Sequence, residues 1–432
     1  MNRSAPRIFI GPTEIAGYYA NLAPGFAELG CRVTLVGASL HTFGYGSGRE
    51  ESWPPRFYAA AVQRVHAARQ PVAAAFARAW LYLSQLVLFL WAAPRHDVFI
   101  SGAGLTILPR NLDLLFLRWL GKTTICYVGH GSESRPPYLD GAFRSREGVP
   151  PPIAEYRRLI EASVRRLARI ERHATFTICS PLNAHFLRRR FINSHVFGVP
   201  FVAPPATTRA TRPSGAPTRI FHAPSHRAAK GSDHIAAAIA RLKAKGLAID
   251  YNERSGVKNA VILEELAACD ILVDQAYSDY PLAGLATEAA FLGTPAIVGG
   301  YVWSALRPLI PADNWPPSRV CHPDELEAAI EAWVRDPGAC ARAGAAAEDF
   351  VRAHWTSRQV AERYLSLVRG DFPTDWWREP ADTPFHRGGF ADESVHRRVI
   401  RQLLDAYGPG VLHVDDKPRL RQALIDFAAP PR

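Results

Sequence analysis

The chain has 432 residues, 48% hydrophobic and 21% charged, which at roughly 150 residues per domain predicts two or three domains with sizeable cores. Such a balance excludes wholesale disorder, a collagen-like repeat and a small disulfide scaffold. The formal net charge is +11, and only six of the 51 basic residues are lysine; charge alone leaves an anionic membrane, an anionic substrate and nucleic acid open as partners.

In chain order, the N-terminus runs straight into a short apolar strand at 7–11, and no signal peptide is expected. A helix over 14–29 and a strand over 32–37 follow. The stretch 72–93 is long and apolar, but Arg78 interrupts it, and its unbroken part, 79–93, falls short of the ~20 residues that span a bilayer. It reads as a buried helix feeding a strand at 97–101. The competing reading is a helix lying in a membrane interface, a location that Trp80, Tyr82 and Trp91 suit. A helix at 111–120, a strand at 123–128, an arginine-rich helix at 153–173 and a strand at 175–179 complete the first half. Alternating strands and helices with short connections imply a parallel sheet covered on both faces.

Residues 203–218, rich in Pro, Thr and Ala, read as an interdomain linker. Alternation then restarts, with strands at 219–223, 248–253, 270–274 and 295–298 and helices at 232–245, 259–268 and 285–292. Helices at 324–335, 338–354 and 357–368 follow, and after Gly370 two amphipathic stretches, 394–407 and 417–427, form an appendage without a chemical motif. The expected fold is therefore α/β: two Rossmann-like, doubly wound domains facing a cleft, with a helical C-terminal appendage. The expected divisions are 1–202, a linker at 203–218, 219–355, a crossover helix at 356–369 and the appendage at 370–432. The six cysteines are scattered without a CxxC pair, which argues against a structural zinc site and suits a reducing compartment.

Four segments carry candidate chemistry. The first, from Phe221 through Ser225, Arg227 and Lys230 to Asp233, follows a strand and opens a helix. Ligands of parallel α/β domains sit beyond such strand ends, and a helix N-terminus with two cations suits a diphosphate. The plain alternative is a basic loop with Ser232 or Asp233 as helix cap. The second runs from Gly284 and Leu285 through Glu288 to Pro295. A carboxylate near that helix start can accept both hydroxyls of a ribose; a first-turn Glu favoured by the helix dipole is the alternative. In the third, His130 stands between Gly129 and Gly131 just past a strand, where a neutral imidazole can approach a ligand or simply be satisfied within its loop. The fourth, Gly11 to Gly17, is a small-residue turn and not a dinucleotide fingerprint.

Taken together and in this order, the segments resemble the retaining, nucleotide-sugar-dependent glycosyltransferases of family 4, which have the GT-B fold. The resemblance rests on the loop ending in Lys230-Gly231, on Glu288-Ala-Ala-Phe-Leu-Gly293-Thr-Pro295, on Asp274-Gln275, and on His130-Gly-Ser-Glu-Ser-Arg135. It covers roughly residues 7–368. It implies that Lys230 and Arg227, with Ser225 beside them, neutralise the donor diphosphate. It also implies that Gly284, Leu285 and Glu288 hold the nucleotide, that His130 contacts the donor sugar, and that the Gly11–Gly17 turn approaches donor and acceptor. The implied co-substrate is a UDP- or GDP-linked sugar, with no other cofactor and no metal required, and the acceptor is a glycan, glycolipid or small molecule.

Two departures stand out. The family's first motif glutamate falls at Tyr280, with Asp279 as the adjacent substitute, and Ser225 replaces an arginine, with Arg227 as the shifted candidate. A catalytically silent GT-B protein that binds a partner is the alternative these departures support. A cytoplasmic location is expected, with peripheral attachment to an anionic membrane through the arginines of 153–173 and 188–190 as a further expectation. No nucleic-acid partner is expected, because basic patches interleaved with aromatics in a known module are missing.

Overall fold

The computed structural model describes residues 5–37, 52–145, 147–202 and 215–429, so the expected linker lies largely outside the described residues. Two sheets organise the chain. The first contains β1 (Arg7–Ile10), β2 (Arg32–Leu35), β3 (Val98–Gly102), β4 (Thr123–Tyr127), β5 (Phe176–Cys179) and β6 (Phe191–Asn193). The second contains β7 (Thr218–His222), β8 (Ile249–Glu253), β9 (Ile271–Gln275), β10 (Ala296–Gly299) and β11 (Arg319–Cys321). A last short strand, β12 (Trp377–Arg378), returns to the first sheet. The strand orders are β12-β6-β5-β4-β3-β1-β2 and β11-β10-β9-β7-β8. Every pairing is parallel except β12 on β6. Runs such as Ile8-Phe9-Ile10 and Ile271-Leu272-Val273 are apolar on both faces because helices cover both sides of each sheet.

The lobes are tied by the chain crossing back. Helix Ser357–Arg369 leaves the second lobe and places Val360, Ala361, Tyr364 and Leu367 in the core of the first, beside Tyr18, Tyr19 and Phe26. Its start is fixed by a capping box, Thr356 with Gln359. Close approach to helix Tyr18–Glu28 requires Gly25, where a Cβ would meet the Ser357 carbonyl oxygen at 2.0 Å.

The C-terminal region is helical and built into the first lobe. Val399, Ile400 and Leu403 of helix Glu393–Tyr407 and Leu424 and Phe427 of helix Pro418–Ala428 share a core with Ile160, Leu167 and Ile170 of the arginine-rich helix Ile153–His173. This docking engages three of the arginines noted in the sequence. Arg188 pairs with Asp416 and donates to the His413 carbonyl, Arg190 lies over the Trp377 ring, and Arg157 lies over Tyr407.

One expectation is corrected. The apolar stretch at 72–93 forms helix Pro71–Ala92 and feeds β3, but it is not a buried helix. Only Ala77, Ser84, Leu88, Phe89 and Ala92 are buried, while Phe76 is 74% exposed and Leu90 62%. The helix packs one narrow stripe against helix Trp53–Ala67 and the sheet, and its remaining apolar side chains face outward.

Candidate functional site

A cleft of about 370 Å³ opens between the lobes. Strand ends of both sheets build it, as expected for parallel α/β domains. β4 leads to Gly129 and His130, β7 to Ser225, β8 to Arg254, and β9 to the loop carrying Asp279 and Tyr280. Phe390, from the C-terminal region, closes one side.

Lys230 lines the cleft, and its position is fixed by its own backbone. Its carbonyl accepts from Ala276 N–H at 2.9 Å, joining the loop after β7 to the end of β9. The next residue, Gly231, has φ +68, and a Cβ there would meet the Ala276 Cβ at 2.6 Å and the Tyr277 ring at 2.8 Å. Only glycine fits that conformation and approach, which accounts for Lys-Gly at this turn. The Lys230 ammonium donates to Gln275 Oε1 at 2.8 Å and lies 5.4 Å from the centre of the Phe390 ring. Gln275 is held in turn by Asp274 and Ser278. Ser225 lines the same wall. So do Gly284 and Leu285, which begin helix Gly284–Phe291, and space beside Gly284 is open. The first N–H groups of that helix therefore face the cleft with no side-chain cap.

From the first lobe comes His130. Its ring lies tilted against Tyr127 with centroids 3.7 Å apart and meets the edge of Tyr18 at 4.8 Å. Burial pushes its pKa down to about 3, so the imidazole is neutral at pH 7. Neither ring nitrogen has a hydrogen-bond partner among the described residues. A buried neutral imidazole offers one donor and one acceptor to whatever enters the cleft.

The turn 11–17 reaches the cleft through Ile15 and Ala16 rather than through Gly11 or Gly17. Gly11 packs against β2, where a Cβ would meet the Val36 carbonyl oxygen at 2.5 Å. Gly17 precedes helix Tyr18–Glu28 in the left-handed region, φ 82. The tip of that helix is already filled: Glu14 accepts from the N–H groups of Tyr19 at 3.2 Å and Ala20 at 2.8 Å. An intramolecular carboxylate thus holds the place an anionic ligand would take.

Arg227 does not line the cleft. It begins the short helix Arg227–Lys230, and its guanidinium turns to Asp233 and to Glu253 at the end of β8. The cation that does reach the cleft beside Lys230 is Arg254, an ion-pair partner of Glu265 at 3.3 Å. Glu288 is buried one turn into helix Gly284–Phe291, with Oε1 accepting from Asn259 Nδ2 at 3.0 Å. Asn259 rather than Glu288 faces the cleft. Asp279 lines the cleft but is engaged across the lobes by Arg135 and by Asn183 Nδ2 at 3.0 Å. Arg135 is fully buried and also faces Asp140 at 3.3 Å. Despite burial, the Arg135 guanidinium holds the Asp279 carboxyl down at about 2. Tyr280 stacks on His195 with centroids 4.6 Å apart. Arg254 and Asn259 escaped the sequence reading although both follow the predicted strand 248–253, the kind of position that identified Lys230. Tyr18 and Tyr127 belong to the segments already singled out, at the end of the first-lobe turn and at the start of the His130 loop. Phe390 carried no signal.

No protein-family model matches the sequence, and no curated protein matches it. Among solved structures the chain is similar to the glycotransferase of kitacinnamycin at 14% identity, over 85% of this chain and 100% of that one, with a TM-score of 0.43. It is also similar to HepE of Anabaena in complex with UDP, at 12% identity over 84% and 100% with a TM-score of 0.47. A third is spinosyn forosaminyltransferase, at 15% identity over 84% and 99% with a TM-score of 0.43.

Proposed function

We propose that this chain is a glycosyltransferase that takes a sugar from a nucleoside diphosphate donor and passes it to a glycan, glycolipid or small-molecule acceptor with retention of anomeric configuration. The observation that carries the reading is the composition of one cleft. Lys230 and an uncapped helix N-terminus line it from the second lobe, and a neutral His130 without a protein partner lines it from the first. In this reading Lys230, Arg254 and the N–H groups of Gly284 and Leu285 hold the diphosphate. Asn259, positioned by Glu288, meets the ribose, and His130 meets a donor-sugar hydroxyl. The bond between the anomeric carbon and the phosphate oxygen breaks while the acceptor hydroxyl bonds to that carbon from the same face. The acceptor proton passes to the departing phosphate oxygen. The protein positions the partners and stabilises charge growing on the diphosphate.

A second reading is a GT-B protein that binds a sugar nucleotide or partner without turnover. Tyr280 at the first motif glutamate position favours it, as does the locking of Asp279 by Arg135 and Asn183. Thermal shift and donor hydrolysis with a panel of UDP- and GDP-sugars separate the two. Hydrolysis lost in Lys230→Ala supports the enzyme, and binding without hydrolysis supports the second reading. Failure of every donor to bind refutes the enzyme and favours a silent protein that binds a partner.

A further inference from the structure

We infer that the apolar face of helices Pro71–Ala92 and Leu112–Trp119 is a docking surface for an anionic lipid bilayer, with both helices lying on the membrane and not crossing it. The inference is independent of the donor reading. On the first helix Val72, Phe76, Leu83, Leu86 and Leu90 are exposed. The second adds Leu115, Phe116 and Trp119, the last 83% exposed. The two helices are neighbours, since the buried Phe89 ring of the first lies 6.1 Å from the Phe116 ring of the second. On the first helix Trp80 meets Phe57, which meets the exposed Trp53. Exposed apolar surface of this kind on a folded lobe marks an interaction site.

Charge identifies the occupant. Residues 52–96 carry Arg56, Arg64, Arg69, Arg78 and Arg95, and no aspartate or glutamate. All five arginines are exposed. Arg64 lies over the Trp80 ring and Arg95 over Trp91, so cations border the apolar side chains. In Leu112–Trp119 the single acid, Asp113, is buried and bonded to Thr106 and the Ile107 N–H, whereas Arg118 is exposed. Apolar residues with tryptophans, bordered by arginines, match the interface of an anionic membrane. A two-fold contact with a second copy would set Arg64, Arg78 and Arg95 against the same arginines of the other copy, so like charges oppose that occupant. The helices lie flat because Ser84, Leu88 and Ala92 anchor the first to the lobe.

The test uses the full chain and phosphatidylcholine vesicles with or without phosphatidylglycerol, at low and high salt. Binding is expected only with the anionic lipid, weakening as salt rises, since each arginine near such a surface contributes roughly fivefold to partitioning. Phe76→Glu with Leu83→Glu is expected to lower binding tenfold or more, while Arg158→Ala with Arg165→Ala, on helix Ile153–His173, leaves it within about threefold. Vesicles brominated in the acyl chains are expected to quench tryptophan fluorescence of the unmodified chain, a readout that needs no variant. The inference is overturned by absence of binding, by binding that survives the double glutamate variant in folded form, or by no quenching. A dimer that this variant dissociates, with no lipid binding by the parent, equally overturns it and assigns the face to a second copy.

Discussion

Arg135→Met tests how the lobes are held together. Arg135 lies in the first lobe, is fully buried, and faces Asp140 from its own lobe and Asp279 from the other. Its charge keeps Asp279 ionised at about 2, against an ordinary 3.8. That displacement is worth about 2.5 kcal/mol, and removing one member of a buried pair costs roughly 3–5 kcal/mol. Both figures point to about 3 kcal/mol, a large part of a typical stability of about 5–15 kcal/mol. If the chain unfolds as one unit, its size converts this into a melting point lower by about 3–4 °C. If the lobes uncouple, a single transition splits into two. The pH dependence is diagnostic. In the parent, Asp279 has a depressed folded pKa, so its contribution is complete above about pH 4 and is lost only toward pH 2. In Arg135→Met, burial without the guanidinium raises the folded pKa of Asp279 above its unfolded value. The variant is then stabilised as the group protonates, and its deficit relative to the parent shrinks as pH falls from about 7 to 5. Calorimetry across that range checks this. A variant melting within about 1 °C of the parent at pH 7, or a deficit that does not change with pH, refutes the argument.

Lys230→Ala is expected to weaken nucleoside diphosphate binding by about 10- to 100-fold, the worth of a charged hydrogen bond, while Arg227→Ala stays within about threefold because its guanidinium serves Asp233 and Glu253; titration calorimetry with UDP and GDP distinguishes them. Gly231→Ala is expected to cost about 2–4 kcal/mol, from the left-handed backbone plus the approach to Ala276 and Tyr277, and to displace Lys230, so urea midpoint and nucleotide affinity fall together. Burial pushes His195, His222 and His386 down to about 4 from 6.5. These depressed folded values mean that stability is complete above about pH 6.5 and is lost as pH falls toward 4, by about 2 kcal/mol per histidine at pH 5; urea unfolding at pH 7 and 5 measures it, and His386→Gln is expected to reduce the slope.

What the sequence made legible follows from length and position. Strands with an apolar run bounded by helices, such as β1, β4 and β9, were readable because burial on both faces leaves little choice of residue. Phe191–Asn193, Arg319–Cys321 and Trp377–Arg378 are too short to show any period. Helix Trp53–Ala67 opens with Pro54 and Pro55, a residue type that breaks helix interiors but is accommodated in a first turn, where no N–H bond is lost. At the site, His130, Ser225, Lys230, Gly284 and Leu285 lie in loops or first helix turns that follow strand ends, and the strand-end rule finds such residues without knowledge of packing. Arg227 and Arg254 show the limit of that rule. Arg227 is three residues from Lys230, yet its guanidinium is drawn to Asp233 and Glu253 instead of the cleft. Arg254 becomes its neighbour only because β7 and β8 run in register, His222 beside Glu253.

The C-terminal region also changes what the cleft can do. Two lobes joined by linkers are by default free to move relative to one another. Here a strap leaves the first lobe, crosses the cleft and returns. Gly141 N–H donates to the Gly389 carbonyl and Gly389 N–H to that of Leu139, both in the first lobe, and Phe390 N–H then donates to Tyr277 of the second lobe at 2.8 Å. The Asp392 carboxylate accepts from the Tyr301 hydroxyl at 3.2 Å. Arg144 binds the carbonyls of Phe390 and Ala228 together, at 2.8 and 2.9 Å. Phe390 itself sits at φ 59, a conformation that costs a non-glycine residue about 1–2 kcal/mol. Those hydrogen bonds offset the strain, and the outcome is a ring placed over both Arg135 and Lys230, 4.5 and 5.4 Å from its centre. With this strap and the Arg135–Asp279 pair bridging the lobes, opening the cleft means breaking two separate sets of buried polar contacts. Ligand entry without separation of the lobes is the lower-cost route, because it leaves both sets of contacts intact.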